Sequence, residues 1–211
     1  MDDERFLTIG FTRPEVQSDF KQESTDVTAF MDSGAIDYFH IRKPGESLSV
    51  YRDLIGSIPT RLHPRIVVDT FPQLCREYEI GGFHLKSDGS KKDLKDSLPQ
   101  GIFYSRSCHT LEETKADPNG FKYSFLSPVF DSISKEGYQS KFNPGDKDLK
   151  QALENRNIVA LGGVTPEVFM QLYHSKFVGA ALLGYLWHHK STIRKKIDSI
   201  LKDREEICFN S

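Results

Sequence analysis

The chain has 211 residues, 37% of them hydrophobic and 27% charged, enough to bury a full core in one compact domain spanning residues 1–211. Lys plus Arg number 28 against 30 for Asp plus Glu, so no whole-molecule field collects polyanions and nucleic acid is not an expected partner. Cys75, Cys108 and Cys208 are odd in number, widely spaced and without a CxxC pair, which points to a reducing compartment and away from structural zinc.

The opening residues, Met1-Asp2-Asp3-Glu4-Arg5, are acidic and no apolar run of signal-peptide length follows, so a cytoplasmic protein is expected. From there, eight short apolar runs recur along the chain: Phe6-Ile9, Tyr38-Ile41, Arg65-Val68, Gly82-Leu85, Ile102-Tyr104, Tyr123-Leu126, Ile158-Leu161 and Gly179-Leu183. Each is followed by polar or Gly/Pro punctuation and then by a stretch with helical spacing, which reads as a βα alternation.

The helical spacing is clearest over Ser47-Ile58, where Leu48, Tyr51, Leu54 and Ile55 share a face, and over Thr165-His174, where Pro166 stands behind a capping Thr165. Ile66-Val67-Val68 is apolar on both faces, as a parallel strand covered on both sides requires. Eight such units predict an α/β fold, a single (β/α)8 TIM barrel, with a doubly wound open sheet as the structural alternative. Ser132 to Asp146 is the one long polar segment without a strand or helix pattern and reads as a binding loop or lid. Phe177 to Trp187 is the longest apolar stretch and is too short to cross a membrane; it reads as a buried strand entering a turn. The last segment, with His188-His189, Arg194-Lys195-Lys196 and Arg204-Glu205-Glu206, alternates in charge and is expected to present a solvated outer face.

In a barrel of this kind the site is built at the C-terminal ends of the strands. There the sequence places His40, Arg42 and Lys43, then Asp69 and Thr70, then His84 and Asp88. The following loops are read as Ser105-Arg106-Ser107-Cys108-His109 and Asp131-Ser132-Ile133-Ser134-Lys135. Ser132, Ser134 and Lys135 put two hydroxyls and an ammonium into one loop, a donor set suited to phosphate oxygens. Gly162-Gly163 and Gly184 would let backbone N–H groups approach an anion after the seventh and eighth strands. His40 and Arg42 share one side of their strand, and the cost of a buried, unpaired arginine points that side into the barrel mouth. Asp69 and Asp88 are the carboxylates nearest the mouth, and a pair of that kind could share Mg2+ with a diphosphate. Cys108 is adjacent to His109 in sequence, but adjacent side chains need not face one another, so no thiolate–imidazole pair is implied.

Five strand-end segments, in order, carry a resemblance: Tyr38-Phe39-His40-Ile41-Arg42-Lys43, Gly82-Phe83-His84-Leu85, Ser107-Cys108-His109-Thr110-Leu111-Glu112-Glu113, Ser127-Pro128-Val129-Phe130-Asp131-Ser132-Ile133-Ser134-Lys135 and Ala160-Leu161-Gly162-Gly163-Val164-Thr165-Pro166. Together they resemble the thiamin phosphate synthase/TenI superfamily from roughly Phe6 to Trp187. The resemblance implies a barrel in thiamin biosynthesis that binds small phosphorylated substrates and, in the synthases, joins an aminopyrimidine diphosphate to a thiazole phosphate with release of pyrophosphate, aided by Mg2+. It implies that Arg42, Ser132, Ser134 and Lys135 hold the diphosphate and that Gly162, Gly163 and Gly184 hold the thiazole phosphate, with Ser107 a further phosphate-binding candidate. A synthase would use Asp69 and Asp88 to share the metal, although Asp69 aligns with an asparagine and Asp88 matches the second metal aspartate only if one residue is deleted. Acid–base work falls to His40, His84 or His109, among which the sequence does not choose.

The chain also departs from that pattern. Pro44 stands where the synthases carry a lysine, Lys43 replaces an acidic residue, and Thr70 aligns with a magnesium-binding aspartate. The TenI branch, similar to thiazole tautomerases, has a catalytic histidine that is matched here by Pro128. A tautomerase and a non-catalytic thiazole phosphate binder are the alternative readings. A homodimer would be unsurprising, though no residue argues for it.

Overall fold

The computed structural model describes residues 5–15, 20–85, 98–115, 120–131, 140, 142–188 and 190–209. Eight parallel strands follow one another around a closed barrel: β1 Leu7–Phe11, β2 Tyr38–Ile41, β3 Ile66–Val68, β4 Gly82–Leu85, β5 Phe103–Cys108, β6 Tyr123–Leu126, β7 Ile158–Ala160 and β8 Gly179–Leu182. The pairing Leu7↔Gly179 and Ile9↔Ala181 closes the ring between first and last strands, so no sheet edge is left and the open-sheet alternative is excluded.

The described helices are α1 Phe20–Asp32, α2 Leu48–Gly56, α3 Leu74–Glu77, α4 Leu111–Lys115, α5 Lys147–Leu153, α6 Phe169–His174, α7 Gly184–His188 and α8 Ile193–Phe209. Ser47 takes the extended N-cap conformation ahead of α2, and Pro166 opens a 3-10 turn, Pro166–Val168, that feeds α6 as the Thr165-Pro166 pair predicts. None of the described helices is long and apolar enough to cross a membrane.

Strand alternation divides the core in two. Outward positions such as Phe39, Ile41, Ile66, Val68, Phe83, Leu85, Leu126 and Leu182 join the helices in one large cluster, while Ile9, Phe11, Tyr123, Phe125, Val159 and Ala181 fill the barrel. Inside, rings dominate: Tyr38 and Phe103 are 5.0 Å apart, Tyr123 and Phe125 5.4 Å, and Phe11 and Phe125 5.4 Å. Gly82 makes room for this filling, because a Cβ there would lie 2.5 Å from the Phe103 ring.

Two expectations change. The polar run after the fifth strand is not all loop: β5 continues to Cys108, because Ser105 and Ser107 point into a barrel whose histidine satisfies their hydroxyls. Nor is the last helix solvated throughout. Lys196, Ile200, Arg204 and Ile207 of α8 are buried, with Lys196 Nζ donating to Leu186 O at 2.6 Å and Arg204 paired with Asp37 at 3.1 Å. The charge pattern concealed the face because two of its members are cations that bury their stems and satisfy their heads.

Candidate active site at the barrel mouth

The alternation that fills the barrel also builds its mouth. His40 points inward and is 2% exposed. Its Nε2 shares a 2.8 Å hydrogen bond with Tyr123 Oη, and its ring lies 4.7 Å from Phe11 and 5.4 Å from His84. Burial, and then the neighbouring His84, hold its pKa well below that of an ordinary histidine, while burial pushes the Tyr123 phenol well up. At neutral pH both groups are therefore uncharged.

Above His40 on the same strand, Arg42 is half exposed, with Nε 3.7 Å from Asp69 Oδ2. Its backbone N–H donates to Thr12 Oγ1 at 2.9 Å and its carbonyl accepts from the same hydroxyl at 3.1 Å, which ties the chain after β1 to the end of β2. Asp69 follows β3 and is fixed on its other oxygen: Oδ1 accepts from Tyr51 Oη at 3.2 Å and Thr70 Oγ1 at 3.1 Å. Thr70 thus serves here as a support for Asp69.

Lys43 faces away from the mouth. It is 1% exposed and its Nζ donates to Glu23 Oε2 at 2.7 Å, Arg13 O at 2.9 Å and Glu15 O at 3.1 Å. Glu23 Oε1 in turn accepts from Arg13 N at 2.8 Å. This buried pair anchors the chain after β1 beneath the mouth.

On β4, His84 is nearly buried and bridges two serines of β5, Nδ1 to Ser105 Oγ at 2.9 Å and Nε2 to Ser107 Oγ at 3.0 Å. Ser105 also hydrogen-bonds the Tyr123 side chain. A continuous polar chain, Ser107, His84, Ser105, Tyr123, His40, therefore runs from the rim into the barrel. His109, just beyond β5, is exposed, with Nδ1 3.3 Å from Ser127 O and 3.4 Å from Ser127 Oγ. Cys108 faces outward into the core, and burial raises its thiol pKa, so it forms no nucleophile with His109.

The glycines after β7 are needed for close approach. Gly162 and Gly163 have φ of 96° and 65°, and a Cβ on Gly163 would stand 2.2 Å from Asp131 O. Phe130 N donates to Gly162 O at 3.0 Å, so the segments following β6 and β7 rise together at the rim. Gly184 opens α7 after β8. The expected residues Asp88, Ser132, Ser134 and Lys135 lie outside the described residues. Among the described residues no three His, Cys, Asp or Glu side chains gather as a metal site.

Arg42, Asp69, His84, Ser107, His109, Gly162 and Gly163 thus share one end of the barrel. Sequence reasoning missed Tyr51 and Tyr123 and read Ser105 as a loop residue. For Tyr123 the signal was its period-two relation to Phe125, which places both inside; Tyr51 gave none, since its apolar spacing assigns it to a helix face and its hydroxyl reaches the mouth only through packing.

The family described as thiamine monophosphate synthase, TMP-TENI, matches residues 16–186. A thiamine-phosphate synthase of Levilactobacillus brevis is 26% identical over 178 residues, 79% of this chain and 82% of that protein. Among solved structures, a thiamine phosphate pyrophosphorylase from Bacteroides thetaiotaomicron superposes with a TM-score of 0.76 at 24% identity, covering 95% of this chain and 98% of that one. A (S)-3-O-geranylgeranylglyceryl phosphate synthase from Thermoplasma acidophilum reaches 0.68 at 10% identity, with 96% and 94% covered. Barrels of this shape therefore host more than one chemistry.

Proposed function

Because the chain belongs to the TMP-TENI family, we propose that it is a transferase of thiamin biosynthesis that joins an aminopyrimidine diphosphate to a thiazole phosphate and releases pyrophosphate. The observation that supports this most is the position of Arg42: a half-exposed guanidinium at the rim whose ion-pair contact among the described residues is the Asp69 carboxylate at 3.7 Å. A diphosphate offers such a guanidinium shorter, charge-assisted bonds than Asp69 does. Ser107, with Ser132, Ser134 and Lys135, completes the proposed diphosphate cradle. Gly162, Gly163 and Gly184 offer backbone donors to the thiazole phosphate.

The three histidines take separate roles in this proposal. His109 is exposed at the rim and can touch substrate. His84 acts through Ser107 and is a positioning residue. His40 is closed off beneath them and holds the interior. Mg2+ is the family's metal, but among the described residues no three His, Cys, Asp or Glu side chains gather, and Asp69 has its Oδ1 occupied by two hydroxyl donors. These residues do not by themselves make a Mg2+ site; Asp69 with Asp88 is the proposed pair for the metal, and the comparison with and without Mg2+ tests it.

The test is pyrophosphate release with both substrates supplied, with and without Mg2+. Release is expected, together with a sharp rise in KM for the diphosphate in Arg42→Gln. No release in either condition overturns the proposal.

A further inference from the structure

We propose a second anion site at the opposite end of the barrel, taking a small phosphate-bearing molecule. A cavity of about 870 Å³ lies against the N-terminal ends of β1, β6, β7 and β8, which are adjacent in the ring. That volume falls within the range of small-molecule sites. Among the described residues, the cations Arg5, Lys122, Arg156 and Lys176 line it against one carboxylate, Glu154. The chain as a whole carries a formal charge of −2, so this concentration of positive charge is local.

Three of the cations are held by contacts with the protein. Lys122 Nζ stands 5.0 Å over the Tyr38 ring and 5.1 Å over Phe103, at the floor of the barrel. Arg156 Nη1 donates to Thr114 O at 2.9 Å, and Arg5 is within 3.6 Å of Asp37. Lys176 Nζ has no hydrogen bond or ion pair among the described residues.

The backbone at Lys176 fixes where its side chain starts. Lys176 follows α6 with φ of 70°, and its N–H bonds Tyr173 O while Phe177 N bonds Leu172 O. This paired helix ending ordinarily takes glycine at the left-handed position. Here a lysine accepts that strain, and its side chain lines the cavity. Neighbouring Asn155 is likewise left-handed, at 59°, in the turn closed by Arg156 N to Leu153 O.

The test must report on this end alone, since the mouth is also proposed to bind phosphates. Acylation rates of Lys122 and Lys176 in the full chain, followed by peptide mass spectrometry, are measured against inorganic phosphate and tripolyphosphate. Several-fold protection of both lysines is expected, retained in Arg42→Gln and lost in Arg156→Gln. In Lys176→Gly, which relieves the backbone strain and so keeps the fold, protection of Lys122 should fall several-fold. Labelling of Lys176 that is indifferent to both anions, or protection of Lys122 undiminished in Lys176→Gly and Arg156→Gln, overturns the site. Loss of protection in Arg42→Gln assigns the effect to the mouth and overturns it equally.

Discussion

On the outer side of the barrel wall, Phe39, Ile41, Ile66 and Val68 meet the helices through apolar contact, and buried charge is satisfied by an opposite charge, as Lys43 is by Glu23, or by a backbone carbonyl, as Lys196 is by Leu186. On the inner side, His40, Tyr123, Ser105 and His84 are linked by hydrogen bonds among aromatic rings. The outer layer accommodates charge because a helix and a strand can each bring one partner and several backbone carbonyls. The barrel interior has no such partners at hand, so its polar groups are bonded to one another, and burial keeps His40 and Tyr123 neutral. Stability is therefore sensitive to charge balance outside and to protonation inside.

Lys43→Met gives the sharpest break. It leaves Glu23 buried at 1% side-chain exposure without its cation and should cost about 3–5 kcal/mol in denaturant unfolding. The double variant Lys43→Met with Glu23→Leu should recover most of that loss, and a double variant no more stable than the single one would show that the pair is not the cause.

Inside the wall, Tyr123→Phe removes the hydroxyl that His40 and Ser105 use and should cost about 1–3 kcal/mol in the same measurement. The pH profile sharpens this. His40 has a folded-state pKa held below its unfolded value, so the unfolded chain binds the extra proton and stability is present above the unfolded pKa. It should then fall as pH drops below about 6.5, with a slope of up to about 1.4 kcal/mol per pH unit from this residue. In His40→Gln that component of the melting-temperature slope should vanish; an unchanged slope would place the acid sensitivity elsewhere.

The smallest effect has the opposite sign. Lys176→Gly removes a left-handed lysine and should stabilise the fold by about 1 kcal/mol while weakening anion protection at the same cavity. A neutral or negative change in stability would show that Lys176 makes contacts outweighing its backbone strain.

Much of the architecture was legible because strands of a covered barrel are short, apolar and regularly spaced. Seven of the eight runs coincide with observed strands to within two residues at either end. The fifth was cut short, because serines read as loop residues when the histidine that satisfies them is 21 and 23 positions away. The same distance in sequence hid the Tyr123–His40 bond, which spans 83 positions. Arg42, Ser107 and the paired glycines were found as a group because barrels place strand-end residues together whatever their separation along the chain.

Sequence by itself determined the βα repeat, the strand-end positions of the candidate residues and the family pattern, all of which depend on local spacing. Only the tertiary structure decided which histidine lies sealed inside, that Lys43 turns away to Glu23, that Thr70 supports Asp69, and that four cations meet at the far end of the barrel. Those outcomes depend on which side of a strand faces a partner brought from a distant turn of the ring, and closure of the barrel sets that geometry.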